Sequence, residues 1–406
     1  MANTLLTIGM ITREGLMVLE NNLGFTRGVD RQYDDQFAKS GAKIGSVLNI
    51  RKPVRFTNTQ GQGLQLQDLT ETSVPLVLTT QYQRSFAVTS SNLALDIDDF
   101  SKRFITPAIA SMANQIDFDG MQQFLNVNNE VGTPGSVPNT SNVYLAAGQK
   151  LDENAAPIKI RDLVINPRMQ ATIVPALQGL FNPQVAISSQ YRKGRMSKDT
   201  LGFDWYMDQN CPTFTTGPQG GAPAVNGLLQ TGSSIITNGW TAAAALRLRK
   251  GDIITFSNSF AVNPQSRAST GSLAQWVVTA DVSSDGAGNA TIPISGPDFN
   301  GVITTGPFQN VTAAPTTGDT IAVQGTASVT SGRGIAFDGE AFTFACADLP
   351  LYGGLDMGDR KKDDQLNMSM RCIRMYDINM DRAPLRLDLL GGWATLYPQM
   401  AVRIAS

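Results

Sequence analysis

The sequence predicts an α+β protein in which an all-β domain is inserted into a host that contains both helices and strands. The inserted stretch, Gly221 to Thr330, holds nine charged residues among 110, against 57 among the other 296. It contains no Glu, Met, Tyr or Cys, and its short Val, Ile and Phe runs alternate with Gly, Ser, Thr, Asn and Ala, as in a β module with many turns. Helical periodicity before the insert and strand-like segments after it indicate that the two flanking regions belong to one host.

The first predicted element is a short amphipathic helix. Between Met10 and Leu23 apolar residues fall near one helical face, and Gly24 follows as a stop signal. This helix opens an N-terminal arm that reaches about Gly45. The polar segment Asp30 to Ala38 of the arm is expected to lie across another part of the structure rather than to form a core.

A long hairpin is predicted over Ser46 to Asn92. Alternating apolar and polar residues in Val47 to Phe56 predict one arm, and a second strand-like run from Val74 to Val88 predicts the other. The polar tract Thr57 to Thr72 between them is too polar to bury in its own domain, so it is either a loose surface loop or a projecting arm that contacts other subunits. On the second reading, the candidate subunit contacts are Arg51, Lys52, Arg55, Gln60, Gln62 and Arg84.

The main helix is predicted from Pro107 to about Asn128. Thr106 is expected to be its N-cap and Pro107 its first residue, where the missing N–H costs nothing. Asp96 is expected to cap a shorter helix that ends at Ile105. The buried stripe of the main helix consists of residues at helical spacing: Ile109, Met112, Ala113, Ile116, Gly120 and Phe124.

The segments around the insert predict a mixed α/β region. Asp162 to Ile165 is expected to be a strand, and the same start signal of Asn followed by Pro marks two helices, at Asn166 and at Asn182. After the insert, four segments predict strands that pair with elements before residue 220: Ala341 to Ala345, Leu366 to Ile378, Leu385 to Leu390 and Trp393 to Ile404.

The composition argues against most enzyme classes. The chain has no His, which removes Ser-His-Asp and Cys-His catalysis and most zinc sites, and its three Cys lack metal-type spacing. No phosphate-binding loop, dinucleotide fingerprint or nucleophile elbow occurs. We therefore expect no cofactor, metal site or catalytic residue, although paired carboxylates remain open because their separation is spatial.

Two acidic segments and two basic clusters are further candidate sites. Asp96, Asp98 and Asp99 lack the Gly and Glu of a calcium loop, and Asp281 to Asn289 is expected to be a turn. Arg192, Lys193, Arg195 and Lys198 form one basic cluster, and Arg360, Lys361 and Lys362 form another. The default interpretation of both is a solvated face. The sharper one is contact with neighbouring subunits or the DNA backbone, for which Arg192, Lys193 and Arg195 are our candidates.

The net charge and the distribution of apolar residues indicate what kind of protein this is and where it is made. A net charge of −2 over 406 residues does not suggest a dedicated nucleic-acid binder, and 42% hydrophobic residues can supply real cores. The apolar run Leu5 to Ile11 is too short for a signal peptide or membrane span. We expect a protein made in a cytosol, without membrane association.

The order of these parts resembles the major capsid (coat) proteins of tailed double-stranded DNA bacteriophages, specifically the short-tailed-phage coat family with an inserted β domain. Five segments carry the resemblance, in order: MANTLLTIGMITREGLMVLENN, DIDDFSKRFITPAIASMANQID, KGDIITF, QWVVTADV and LRLDLLGGWATLYPQMAVRI. They span essentially the whole chain. None is diagnostic alone; their order and intervals are what make the match specific.

The resemblance implies a Hong Kong 97-like capsid fold. It assigns residues 1–45 to the N-terminal arm, 46–92 to the extended hairpin, 93–159 to a peripheral domain with a spine helix, 160–220 to an axial domain, 221–330 to the insert, and 331–406 to return strands. It also implies a homo-oligomer of pentamers and hexamers forming an icosahedral virion shell, with scaffolding protein, portal protein and non-specifically packaged duplex DNA as partners, and leaves a decoration protein open.

Two other function classes stay open at this point. A carboxylate-based hydrolase would act as a monomer or small oligomer and would lose activity on loss of one Asp or Glu. A cell-surface or carbohydrate-binding β protein is favoured only by the composition of the insert.

Overall fold

The chain folds into two compact units. In the computed structural model, the described residues are 8–34, 47–57, 61–63, 66–89, 100–176, 196, 200–351, 357–364, 366–380 and 382–406. The first unit combines Met1–Arg51, Ser73–Gly120 and Phe342–Ala394; the second combines Lys52–Thr72, Met121–Ala341 and Thr395–Ser406.

The described part of the chain contains a few helices and many short strands. The α-helices are α1 (Ile8–Asn22), α2 (Phe25–Gly28), α3 (Thr106–Met121), α4 (Ser141–Glu153) and α5 (Pro167–Ala176). The strands before the insert are β1 (Asp30–Asp34), β2 (Val47–Arg51), β3 (Ser73–Val77), β4 (Thr80–Thr89), β5 (Asn129–Val131), β6 (Arg161–Ile165), β7 (Phe203–Met207) and β8 (Thr213–Thr215). The low-charge stretch contributes β9 (Gly221–Val225), β10 (Ser234–Trp240), β11 (Ala245–Leu248), β12 (Ile253–Val262), β13 (Ser269–Val278), β14 (Val282–Ser284), β15 (Ala290–Ser295) and β16 (Ile321–Val323). The remaining strands are β17 (Thr330–Phe337), β18 (Phe342–Ala347), β19 (Met357–Asp363), β20 (Met368–Arg374), β21 (Arg382–Thr395) and β22 (Ala401–Ala405).

The first unit is built on a mixed sheet with strand order β1-β18-β21-β20-β19, and β4 also pairs with β21. Strand β1 pairs in parallel with β18 at the edge of this sheet, so Asp30–Asp34 of the N-terminal arm contacts another part of the structure, as expected. Helix α1 packs on β19 and β20 and buries Ile11, Leu16 and Leu19, which confirms the amphipathic helix predicted from the sequence. The side chain of Asp117 in α3 accepts hydrogen bonds from the N–H groups of Gly24 (2.6 Å) and Thr26 (2.9 Å) at the start of α2.

The spine helix starts earlier than the sequence suggests. A π-helical turn, Ser101–Ile105, precedes α3, and Thr106 has helical dihedral angles and donates its N–H to the carbonyl of Ser101. The prediction of an N-cap at Thr106 is therefore wrong, because the wider turn accommodates Pro107, which has no N–H to offer an i−4 partner. The helix continues as a 3-10 turn, Gln122–Asn126, close to the predicted end. The predicted capping residue Asp96 lies outside the described residues.

The predicted hairpin is confirmed in its first part and corrected in its second. Strands β2 and β3 pair antiparallel, with Val47 opposite Val77 and Arg51 opposite Ser73. The run from Val74 to Val88 is not one strand: it breaks before Thr80, and β4 pairs with β21 instead. The alternation of apolar residues in this run would be the same whether it paired with β2 or with β21, so the sequence pattern cannot identify the partner strand.

In the second unit, strands from both sides of the insert share a sheet. Its order is β5-β22-β17-β6-β7, with β8 on β17. Strand β17 follows the low-charge stretch and pairs with both β6 and β22, which confirms that the two flanking regions fold together. The predicted helix start at Asn166 is also confirmed, because its side-chain oxygen accepts a hydrogen bond from the N–H of Met169 at 2.7 Å. The predicted helix at Asn182 lies outside the described residues.

The low-charge stretch forms a sheet with strand order β16-β12-β13-β15-β10-β9 and a two-stranded ribbon, β11-β14. One buried cluster, including Val225, Trp240, Phe256 and Trp276, draws all its members from residues 225–323. Two of the segments that carry the resemblance, KGDIITF and QWVVTADV, overlap strands β12 and β13, which pair with each other. At the chain's end, the segment predicted as one strand from Trp393 divides between β21 and β22, separated by a 3-10 turn, Pro398–Met400.

Candidate subunit-contact surface

We call residues 52–72, which include the polar tract, the loop segment. The carboxylate of Asp298 holds the first residues of this segment. Lys52 Nζ lies 3.2 Å from Asp298 Oδ1, and the guanidinium of Arg55 contacts Asp298 Oδ2. Lys52 also lies against two aromatic rings, 4.7 Å from the centroid of Tyr397 and 5.4 Å from that of Phe299. Lys52 and Arg55 therefore both have partners within their own subunit. The positive charges in the sequence did not indicate these partners.

A second contact closes the loop segment further along. The backbone N–H of Thr57 donates to Gln67 Oε1 (2.8 Å), and Gln67 Nε2 donates to the carbonyl of Thr57 (2.6 Å). A Gln side chain thus replaces a strand partner across the loop. Gln62 is exposed beyond this closure, and Gln60 lies outside the described residues.

Arg84 and Arg51 have different surroundings in the first unit. Arg84 donates from Nε to Ser111 Oγ (3.1 Å) and from Nη2 to the Ser111 carbonyl (3.1 Å), which ties β4 to the spine helix. Arg51 is exposed at the end of β2. Arg192, Lys193, Arg195 and Lys198 lie outside the described residues.

The second unit contains a buried ionic cluster that sequence analysis missed. Glu130 lies between Arg333 (3.4 Å) and Arg403 (3.7 Å), and all three residues are less than 5% exposed. Arg403 also donates to the carbonyls of Gly251 (2.6 Å) and Val127 (2.5 Å). Burial lowers the pKa of Arg403 to about 10 and also lowers the pKa of Arg333. These residues come from distant segments, so no sequence spacing could have indicated the cluster.

Asp252 lies beside this cluster and is almost fully buried. Its carboxylate accepts hydrogen bonds from the N–H groups of Arg249 (2.7 Å) and Gly217 (3.0 Å). Burial raises its pKa to about 6, and the nearby Glu130 adds to the increase, while the two N–H donors and Arg403 oppose it. Asp252 is therefore a titrating group within the folded framework.

A family model, described as P22 coat protein (gene protein 5), matches residues 2–404 of the chain. The chain belongs to the P22 coat protein family. It is a structural protein of the phage capsid and a virion component that assembles into a shell. Membership in this family confirms the capsid fold that the sequence resemblance implied. It also decides in favour of a structural role over the hydrolase and carbohydrate-binding alternatives.

Other known proteins resemble the coat protein in structure more than in sequence. No curated protein sequence matches. Similar solved structures include a protein of Mycobacterium phage Che8 (TM-score 0.43, 11% identity, 92% of this chain and 88% of that chain covered). They also include the capsid of Ralstonia phage GP4 (TM-score 0.44, 7% identity, 95% and 92% covered) and a virus-like particle from Pyrococcus furiosus (TM-score 0.42, 8% identity, 98% of each covered).

The exposed apolar side chains of the described residues include several that the sequence analysis did not name individually. In the loop segment, Leu66 and Leu69 are 88% and 66% exposed. The turn between β20 and β21 exposes Met375, Tyr376, Ile378 and Met380, and a loop of the β9–β16 sheet exposes Leu228 and Leu229. Large apolar residues next to turn signals, as in MYDINMD, are the one sequence feature that could have identified them.

The other candidate sites of the coat protein have intrachain roles where they are described. Arg360 pairs with Asp348 (3.2 Å) and Lys361 Nζ donates to the Gly9 carbonyl (2.9 Å), so these two cations are not simply solvated. The side chain of Asp285 accepts hydrogen bonds from the N–H groups of Ala287 and Asn289, as in the expected turn. Asp96, Asp98 and Asp99 lie outside the described residues.

Among the described residues, no cluster of three or more His, Cys, Asp or Glu side chains is arranged to hold a metal ion. None of the described helices is long and apolar enough to cross a membrane.

Proposed function

We propose that this coat protein assembles with a scaffolding protein, in the host cytoplasm, into the pentamers and hexamers of an icosahedral shell. Family membership carries the proposal, since it establishes the shell role itself. The portal protein and packaged duplex DNA are the other proposed partners, and a decoration protein remains a further candidate. A net charge of −2 fits a shell in which DNA is packed without tight binding.

The proposed subunit contacts are the loop segment and the cationic candidates. Phe56, Leu66 and Leu69 are well exposed in a tract whose base is anchored, so the segment can offer apolar area to a neighbour. Arg51, Gln62 and Arg84 remain candidates, as do Gln60, Arg192, Lys193 and Arg195 outside the described residues. Lys52 and Arg55 keep an indirect role in this proposal, because they hold the segment through Asp298.

We also propose the domain division drawn from the resemblance, with residues 221–330 as the inserted β domain. Its support is the separate buried cluster within residues 225–323. Contacts to the host include polar ones: the side-chain amide of Gln275 exchanges hydrogen bonds with the backbone of Glu130, at 3.0 and 2.9 Å. An insert with its own core and polar attachments is expected to fold by itself.

Expression with and without a scaffolding protein, followed by negative-stain electron microscopy, tests the proposal. We expect closed shells of uniform size with the scaffolding protein and irregular or fewer particles without it. Monomers without rings, sheets or shells in both preparations would refute assembly. Equal shells in both would refute the role of the scaffolding protein alone.

A further inference from the structure

The contacts around Asp298 form a compact latch on the loop segment. We use the name Asp298 latch for Asp298 together with Lys52, Arg55 and Gln399. Besides the two cations, Gln399 Nε2 donates to Asp298 Oδ1 (2.9 Å), and the Asp298 N–H donates to Gln399 Oε1 (3.0 Å). One carboxylate thus contacts three side chains, two from the loop segment and one from near the end of the chain.

The backbone at Asp298 indicates that the latch is held under constraint. Asp298 and Phe299 have φ angles of 54° and 61°, in the left-handed region that is unfavourable for residues other than Gly. Such conformations are strained for residues with a side chain and persist only where the surroundings hold them in place. Here the surroundings are the latch contacts and the Lys52 ammonium packed on the Phe299 ring.

Burial makes the carboxylate necessary to the arrangement. The side chains of Asp298 and Lys52 are 6% and 7% exposed, and that of Arg55 is 25% exposed. Two cations face one anion, so the site carries a net positive charge that the rings of Phe299, Tyr397 and Phe308 partly offset. Removing the Asp298 charge would leave two poorly hydrated cations facing each other, which favours their release to water.

Two further contacts join the two sides of the loop segment next to the latch. Immediately after Lys52 and Arg55, the Thr57–Gln67 closure holds the two sides of the segment together, and the Lys52 N–H donates to the Thr72 carbonyl at 2.8 Å. The described parts of the segment are therefore joined to each other, and its base is attached to Asp298.

We infer that Asp298 is a positioning residue for shell assembly: it holds the loop segment in the orientation in which a neighbouring subunit receives it. This inference rests on the proposed contact role of the loop segment. Its physical advantage is that a segment already anchored in the free subunit loses less conformational entropy on assembly than an unanchored one. A loose segment would have to be ordered at each contact.

Hydrogen exchange on the unassembled full-length subunit tests the latch directly. In Asp298→Asn, we expect exchange at the Lys52 and Thr57 amides to accelerate by about tenfold or more, while the rest of the subunit keeps its protection. The matched control is Asp281→Asn, the same charge change at an exposed residue of the low-charge stretch. Unchanged exchange in Asp298→Asn would overturn the latch.

Assembly of the same variants, followed by light scattering and microscopy, tests the positioning role. We expect Asp298→Asn to form closed shells at least about tenfold more slowly than wild type, and Asp281→Asn to match wild type. Faster exchange with normal assembly would overturn the inference and leave the proposed function intact. Failure of the wild type to assemble would instead refute the proposed function, since the exchange data need no shell. If Asp298→Asn does not fold, Arg55→Gln removes one arm of the latch and is expected to show the same two effects more weakly.

Discussion

A methyl group added at Gly120 is predicted to destabilise the subunit, although the same change stabilises most helices. Gly120 lies in the buried stripe of α3, and a Cβ built there would lie 2.5 Å from Cζ2 and 2.7 Å from Cη2 of Trp393. Carbon atoms in contact are normally about 3.5–4.0 Å apart. The Trp393 ring has little freedom to move, because it packs against Phe25 (centroids 5.6 Å apart) and Phe344 (4.8 Å apart).

The expected magnitude is a difference between two opposing effects. Replacing Gly by Ala within a helix stabilises it by about 1 kcal/mol. Overpacking a filled core costs about 1–3 kcal/mol, and a contact as short as this one belongs at the upper end of that range. We therefore expect Gly120→Ala to lower the free energy of unfolding by about 1–2 kcal/mol.

Urea unfolding of the unassembled subunit, followed by far-UV circular dichroism, measures this difference. The matched control is Gly148→Ala in α4, where the new Cβ would meet the Phe203 ring at an ordinary 3.7 Å. We expect that variant to be more stable than wild type by about 0.5–1 kcal/mol. If Gly120→Ala proves as stable as Gly148→Ala, the steric argument is refuted.

A double-mutant cycle identifies the clashing partner. Phe at position 393 lacks the fused ring carbons that approach Gly120, so Gly120→Ala should cost about 1–2 kcal/mol less in a Trp393→Phe background. Equal costs in both backgrounds would show that another group opposes the methyl.

Four other predictions concern the charges, the loop segment and the insert. The pKa of Asp252 is raised to about 6, so its contribution to stability is present near pH 4 and lost as the pH rises through 6. The free energy of unfolding of the wild type should therefore fall by about 3 kcal/mol over this range because of Asp252. In Asp252→Asn, urea unfolding should show that this part of the fall is missing. Glu130→Gln removes the carboxylate that lies between two buried arginines, so that only the more distant Asp252 offsets their charge, and it should cost about 3–5 kcal/mol by the same method. Replacing Thr57 to Thr72 with a short Gly-Ser turn should leave the subunit folded, by circular dichroism, but block closed shells in electron micrographs. Gly221 to Thr330 expressed alone should melt cooperatively in calorimetry.

Each of these predictions has a result that contradicts it. A pH profile identical in wild type and Asp252→Asn would show that the carboxyl is not the titrating group. Glu340→Gln, at an exposed carboxylate, is the control for Glu130→Gln, and equal losses in the two would contradict the role of burial. Normal shells from the shortened loop would refute its contact role. A gradual, non-cooperative melt of the isolated insert would refute its independence.

Much of the secondary structure was predictable because it depends on neighbouring residues. The stripe in α1, the strand at Asp162 and the Asn166 cap all follow from spacing or from one side chain bonding to its own backbone. The low charge of Gly221 to Thr330 likewise predicted strands, because β modules with many turns favour small and β-branched residues. The order of these local features was sufficient to indicate the family.

Contacts between distant segments required the tertiary structure. Alternation in Val74 to Val88 predicts a strand but not that it breaks before Thr80 and pairs with β21. Lys52 looked like a free surface cation until the fold placed Asp298 beside it.

The sequence by itself thus determined the kinds of element, their order and, through them, the family. The tertiary structure alone decided which charges are buried together and why a Gly occupies the apolar stripe of α3. The physical reason is that periodicity and capping act over a few residues, whereas burial depends on groups from distant parts of the chain, such as the Trp393 ring over Gly120.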